Sequence, residues 1–371
     1  MNAYKTALRP LLFRLDAERA HELGKTVLRR ERLWSLVARR SAMGDARLQV
    51  ELAGVKLRNP VGLAAGFDKN CEMLETMAAL GFGYAIPGSI RGGVAQDNPR
   101  PRILRYPDRE SLINCTGFPS RGATFAARRL ERFRAGPMSD AITVIPNITG
   151  FTVEEYVAVL SAVQPFADAI EISLSCPNER YDEDDFLYPD TFQRLMEALN
   201  RQKQRPFQLK IRNYNDERER ENRLRLVELA IQHGIDVVML PGSHIVPEPR
   251  LSLGRGNLGG RAVFERTLQN IRDVRSVTGP TTAIKALGGI FSAEDAYRAI
   301  AAGASSVELL TGLVYEGVGV ARRINAGLLR LMDARGISDV RALIGSEASS
   351  SRPTGVARPV VAGAGAASPP R

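Results

Sequence analysis

The sequence is poor in what builds disulfide-rich or metal-centred proteins. Its only cysteines are Cys71, Cys115 and Cys176, an odd number with no pairwise spacing typical of a metal site. A chain of 371 residues can bury enough core to need no staples, so free thiols in a reducing compartment are expected. The three histidines, His21, His233 and His244, are dispersed and form no HExxH pattern, which argues against a histidine-built zinc site; no metal is expected. No run of about 18 apolar residues occurs, and the N-terminus lacks a continuous apolar stretch ending in a cleavage site. Neither a transmembrane span nor a secretory signal is expected.

What is present is globular in composition, 44% hydrophobic and 25% charged, enough for one large barrel or two ordinary domains. The formal charge of +10 admits nucleic acid, an anionic membrane surface or an anionic substrate as partner, and location separates them. Residues 1–44 carry ten Lys/Arg against four acids, so most of the excess lies there, interleaved with apolar residues. Tyr4, Leu8, Leu11, Leu12 and Leu15 recur at helical spacing past Pro10, and Asp16 is placed to cap a second helix bearing Ala20, Leu23, Val27 and Leu28 on one face. Such a pair either lies in a membrane interface or packs as a hairpin on the main domain. It offers no base-stacking aromatic surface, so nucleic acid is not expected as a partner.

From residue 48 the pattern changes. LQVELAGVKL reads as an opening hairpin, followed by eight short apolar runs: VGLAAG (61–66), YAIPGSI (84–90), ITVIPNI (142–148), AIEISLS (169–175), FQLKIR (207–212), VVMLPG (237–242), TTAIKAL (281–287) and SVELLTG (306–312). Helix-like segments separate most of them. Near-continuous apolar strands alternating with helices predict a parallel sheet buried on both faces, and eight of them predict a (β/α)8 TIM barrel, with a doubly wound open sheet as the alternative. The expected organisation is an N-terminal helical extension over 1–44, the barrel over 45–344, and a disordered Ser/Ala/Gly/Pro-rich tail over 345–371.

In such barrels chemistry gathers at the carboxyl ends of the strands. Those ends carry Lys69, Ser89, Asn147, Cys176 with Asn178, Lys210, Gly242 with Ser243, Gly288 with Gly289, and Thr311 with Gly312. The glycines after strands seven and eight suit phosphate binding, because no Cβ keeps backbone N–H groups away from the ligand, although glycine also ends strands for steric reasons alone. Cys176 ends a buried strand beside Pro177 and Asn178, which turns it toward a cleft; a lone cysteine is otherwise a small core hydrophobe. Lys210 lies inside a β-branched strand, an uncommon place for a lysine that merely snorkels. A phosphate-anchored cofactor, two lysines and a thiol suggest redox chemistry on flavin mononucleotide (FMN).

These strings resemble the dihydroorotate dehydrogenases, specifically the quinone-dependent class 2 branch, from about Leu11 to Gly317. FRLDAERAHELGKTVLRR is similar to that branch's membrane-associated N-terminal segment, and NPVGLAAGFDKN to the first flavin loop. GSIRGGVAQDNPRPR, LINCTGF, SCPN, LKI, GGI, AAGAS and TG follow in the family's order. The resemblance implies FMN-dependent oxidation of dihydroorotate to orotate in pyrimidine biosynthesis, hydride leaving C6 for the flavin while a base removes the C5 proton. It implies Cys176 as the base; Lys69, Asn114, Phe118, Ser173, Asn178 and Ser243 at the substrate; and Ala64, Ala65, Gly66, Ser89, Asn147, Lys210, Gly260, Gly288, Gly289, Thr311 and Gly312 at the cofactor. Electrons would pass to a quinone, from a cytoplasmic position peripheral to the inner face of the membrane.

The sequence departs from the family's pattern in places. Class 2 members normally carry serine at the base position, whereas this chain has the cysteine of class 1, and a thiol deprotonates more readily near neutral pH. Of four asparagines that hold the pyrimidine, Asn114 and Asn178 match, while Ser173 and Gly242 occupy the other two positions. NITGFT lacks the usual GKNK lysine, and Leu310 stands where tyrosine is usual. Two alternatives remain open: a divergent paralogue acting on another small cyclic or amide-bearing metabolite, and a non-catalytic flavin- or phosphate-binding barrel.

Overall fold

The computed structural model of the chain describes residues 2–30, 34, 44–174 and 185–347. Cys176 and Asn178 lie outside the described residues, as does the segment expected to be a tail from residue 348 onward. Two antiparallel strands, Val50–Leu52 and Val55–Leu57, come first. Ala53 and Gly54 between them both have positive φ (52° and 80°), the backbone that a two-residue hairpin turn requires.

Eight parallel strands then close into a ring: β1 (Val61–Leu63), β2 (Tyr84–Ala85), β3 (the pieces Thr143–Val144 and Asn147–Ile148), β4 (Ile170–Ser173), β5 (Phe207–Lys210), β6 (Val237–Met239), β7 (Ala283–Leu287) and β8 (Ser306–Leu309). Pro146 interrupts β3 because it has no N–H to donate, but the two pieces are one strand. Val144 pairs with Ala85 on one side and Ile148 with Ile172 on the other, and Leu309 pairs with Leu63 to shut the circle. The ring is the (β/α)8 barrel predicted from eight apolar runs, and the open sheet is excluded.

A helix follows each strand. After α1 (Arg9–Arg14) and α2 (Ala17–Leu28) of the N-terminal extension come α3 (Leu74–Ala79), α4 (Ala123–Arg134), α5 (Val153–Val163), α6 (Pro189–Asn200), α7 (Glu217–Gln232), α8 (Phe264–Thr278), α9 (Ala293–Ala301), α10 (Thr311–Glu316) and α11 (Val320–Asp333). Side-chain caps start several of them. Thr152 accepts from the Glu155 N–H, Asp216 from that of Glu219, and Ser292 forms a reciprocal capping box with Asp295.

A second sheet stands apart from the ring. Ile103–Tyr106 and Ser111–Asn114, from the connection after β2, join His244–Pro247 and Arg255–Gly260, from the connection after β6, as four antiparallel strands. The extension packs beside it. Asp16 caps α2 through the Glu18 and Arg19 N–H groups, the Tyr4 hydroxyl donates to the Val314 carbonyl at 2.7 Å, and Phe13 meets Tyr315 edge to face. Leu8, Leu11, Leu15, Leu23 and Val27 nevertheless remain exposed. The extension therefore has one face on the barrel and apolar side chains turned outward. No described helix is long and apolar enough to cross a membrane.

Candidate active site

The carboxyl ends of the strands open into a cavity of about 1030 Å³ that continues between α1 and α2. Ala64, Ala65 and Gly66 enter it after β1, Ser89 after β2, Ser173 at the end of β4, Lys210 at the end of β5 and Ser243 after β6. Gly288 and Gly289 follow β7; Thr311 and Gly312 follow β8. Asn114 and Gly260 come from adjacent strands of the small sheet, and Lys69 and Phe118 from loops above the mouth. Strands β4 and β5 bring Ser173 and Lys210 into register as direct neighbours.

Asn147 is the exception among the described candidates. Its side chain is wholly buried and donates to Glu171 Oε1 at 2.7 Å, so it meets the barrel interior instead of the cavity wall. Several residues that sequence reading did not place in the site do line the cavity: Arg212, Asn213, Asn215, His244, Arg255, Asn257 and Glu308. Asn213 is buried and bonds to the Gly242 carbonyl, and burial holds the His244 imidazole below its ordinary pKa, favouring its neutral form. The polar run RNYN directly after β5 was the available signal for three of them.

The glycines are fixed by close packing. A Cβ on Gly289 (φ +75°) would come 2.5 Å from the Phe264 Cβ, and one on Gly312 2.4 Å from the Ile290 carbonyl oxygen. Only glycine brings both loops this close to the barrel top, where α10 begins with backbone N–H groups lacking intrahelical partners. A phosphoryl group of a flavin nucleotide fits that arrangement. Gly242 is tighter still: a Cβ there would lie 2.1 Å from Thr267 Oγ1 and 2.6 Å from the Val263 carbonyl oxygen.

Beneath the cavity the barrel interior is charged, where such barrels normally hold branched aliphatic side chains. Lys285, Glu171 and Glu308 are at most 1% exposed. The Lys285 ammonium contacts the Glu171 carboxylate and lies 2.8 Å from Glu308 Oε1. Burial disfavours the Lys285 charge, but the two carboxylates outweigh it and its pKa rises. Glu171 is held low against its burial by Lys285 and Lys210. Burial dominates at Glu308, with Glu171 adding repulsion, and pushes its pKa up to about 7.

Comparison with known proteins agrees with this geometry. A family model described as "Dihydroorotate dehydrogenase" matches residues 47–332. The curated relatives include "Dihydroorotate dehydrogenase (quinone)" of Roseiflexus sp. (strain RS-1), 33% identical over 359 residues covering 93% of this chain and 99% of the relative. The protein of the same name from Deinococcus deserti is 33% identical over 360 residues, covering 93% and 100%. A DHODH from Eimeria tenella, solved in complex with ferulenol, superposes with a TM-score of 0.77 at 27% identity, covering 90% of this chain and 96% of that one.

Proposed function

This chain belongs to the dihydroorotate dehydrogenase family, and from that premise we propose that it oxidises dihydroorotate to orotate and passes the electrons to a quinone. The family implies a flavin, and we take it to be FMN. The observation that carries this reading is one continuous cavity, which gathers the described site candidates apart from Asn147 over the strand ends and runs on between α1 and α2.

Bound flavin supplies the hydride acceptor. The chain supplies the rest. The glycine loops at 288–289 and 311–312 hold the phosphate, and Lys210 faces the cavity where its charge favours electron-rich states of the ring. Lys69 and Asn114 hold the anionic, amide-bearing substrate, Phe118 covers it, and Cys176, three residues beyond the end of β4 with Asn178 following, removes the C5 proton. The outer cavity, lined by Leu8, Leu12, Phe13 and Leu23, admits an apolar quinone, and the exposed leucines of α1 and α2 rest against the membrane.

The test is anaerobic addition of dihydroorotate to the purified yellow protein. The flavin band is expected to bleach, and quinone to restore it. No bleaching at millimolar dihydroorotate would end this reading. Reduction by a different cyclic amide in its place would favour the substrate alternative that Ser173 and Gly242 raise.

A further inference from the structure

Three strands each place one charged side chain in the barrel interior: Glu171 from β4, Lys285 from β7 and Glu308 from β8. They are not equivalent. Glu171 is occupied on both oxygens, by Asn147 and by Lys285, and does not reach the cavity. Glu308 does line it, is fully buried, and its Oε2 has no hydrogen-bond partner among the described residues. An unpartnered carboxylate oxygen on a buried side chain is costly to leave charged, so its ionisation must respond to any charge that appears above it.

We propose that Glu308 is a proton-holding residue beneath the cofactor: it is ionised under the oxidised flavin and takes up a proton when the flavin is reduced, so that it sets the pH dependence of the flavin's reduction potential. The proposal rests on the reading that this cavity holds a flavin. Hydride transfer brings two electrons and one proton to the ring and leaves it one unit more negative. The other substrate proton goes to the base, and the proton reaching Glu308 comes from solvent. The charge on the ring and the charge on Glu308 repel, so each raises the other's proton affinity by the same factor.

The groups facing Glu308 are Glu171, Lys285 and Lys210, which carry charge, and Tyr84, whose own pKa burial and Glu308 drive far above the neutral range. Tyr84 stays neutral, and Glu171 and Lys285 are locked in their charged forms by each other. Glu308 is the member of this group that titrates near neutrality, at a pKa of about 7.

The experiment is a redox titration of the flavin-loaded full chain against reference dyes from pH 5 to 9, for the native protein and for Glu308→Gln. The native potential should bend near pH 7. The glutamine variant, neutral at every pH, should match it at pH 5 and hold reduced flavin about tenfold more favourably at pH 9. Reduction of the native protein near pH 7.5 in weak buffer should withdraw protons beyond those the variant takes up. An equal offset at every pH, or identical curves, overturns the proposal. Because the reduced ring itself ionises near neutral pH, the bend counts only together with proton uptake per flavin beyond that of free flavin mononucleotide, a comparison that needs no variant and decides the matter even where the substitution impairs folding. A protein that binds no flavin would instead overturn the function on which this inference rests.

Discussion

Glu18 of α2 is buried, and both of its carboxylate oxygens are taken up by Arg102. The backbone N–H of Arg102 donates to Oε1 at 2.9 Å, its Nε to Oε2 at 3.0 Å, and its Nη2 lies 2.9 Å from the same oxygen, with Arg100 Nε at 2.8 Å. This is the main polar clamp between the helical extension and the loop leading into the small sheet. Without Glu18, Arg102 keeps Asp97 Oδ2 at 3.0 Å and the Asn98 carbonyl at 3.2 Å, so the loss is that of the charged hydrogen bonds to Glu18, about 1–3 kcal/mol, and it falls locally on the docking of α2. Glu18→Ala should loosen α2 in hydrogen exchange and lower quinone turnover while leaving anaerobic reduction by dihydroorotate nearly unchanged. Equal loss in both half-reactions would show that the clamp supports the barrel and not the quinone end.

On the proposed reading, in which Cys176 is the base, its removal should separate proton abstraction from cofactor binding. Cys176→Ala should keep its flavin and slow dihydroorotate-driven reduction by about 10²–10⁴-fold, the usual contribution of a positioned base. Cys176→Ser should recover part of the rate with a more alkaline pH profile, because an alcohol is harder to deprotonate than a thiol. Stopped-flow absorbance reads both, and near-normal rates in the alanine variant would remove the thiol from the reaction.

His21 makes the extension sensitive to acid. It stands edge to face on Phe67, and burial, with Lys25 adding repulsion, depresses its pKa from 6.5 to about 4. The detached helix would bind a proton below about pH 6.5, whereas the docked helix refuses it until about pH 4. Docking is therefore fully stable above 6.5 and weakens as pH falls through that window. Opening of α2 should rise roughly 30-fold from pH 7.5 to pH 5, read by protease sensitivity of residues 17–28. His21→Phe should flatten this dependence; an unchanged slope would assign it elsewhere.

The barrel was legible because parallel strands buried on both faces leave almost no room for polar residues, so VGL, IEIS and FQLK stand out from their flanks. The small sheet was not. RGNLGG pairs through backbone groups alone, and a Cβ on Gly260 would meet the Glu110 carbonyl oxygen at 2.5 Å, so its strand carries no apolar pattern to read. Cavity residues at strand ends were largely foreseen from position. The interior charge cluster was missed because its members stand more than a hundred residues apart in part, one per strand. The signal existed: AIEIS, AIKAL and SVELL each hold a single charge mid-strand, the same oddity that had singled out Lys210.

Ser173 and Gly242 differ in whether a missing carboxamide can be restored. Ser173 ends β4 beside Lys210, among the residues that line the cavity. Gly242 is wedged against α8, where any side chain would strike Thr267 and the Val263 carbonyl. Each lost amide partner leaves a polar group of a pyrimidine unsatisfied at about 1–3 kcal/mol. Ser173→Asn should therefore tighten orotate about 5- to 100-fold by flavin difference titration, with the melting temperature little changed. Gly242→Asn should instead lower the melting temperature and bring no gain in affinity. With Thr267→Ala added, the space opens, and the paired variant should regain stability. If Gly242→Asn alone tightens orotate in a stable protein, Thr267 yields easily and packing is not what keeps glycine there.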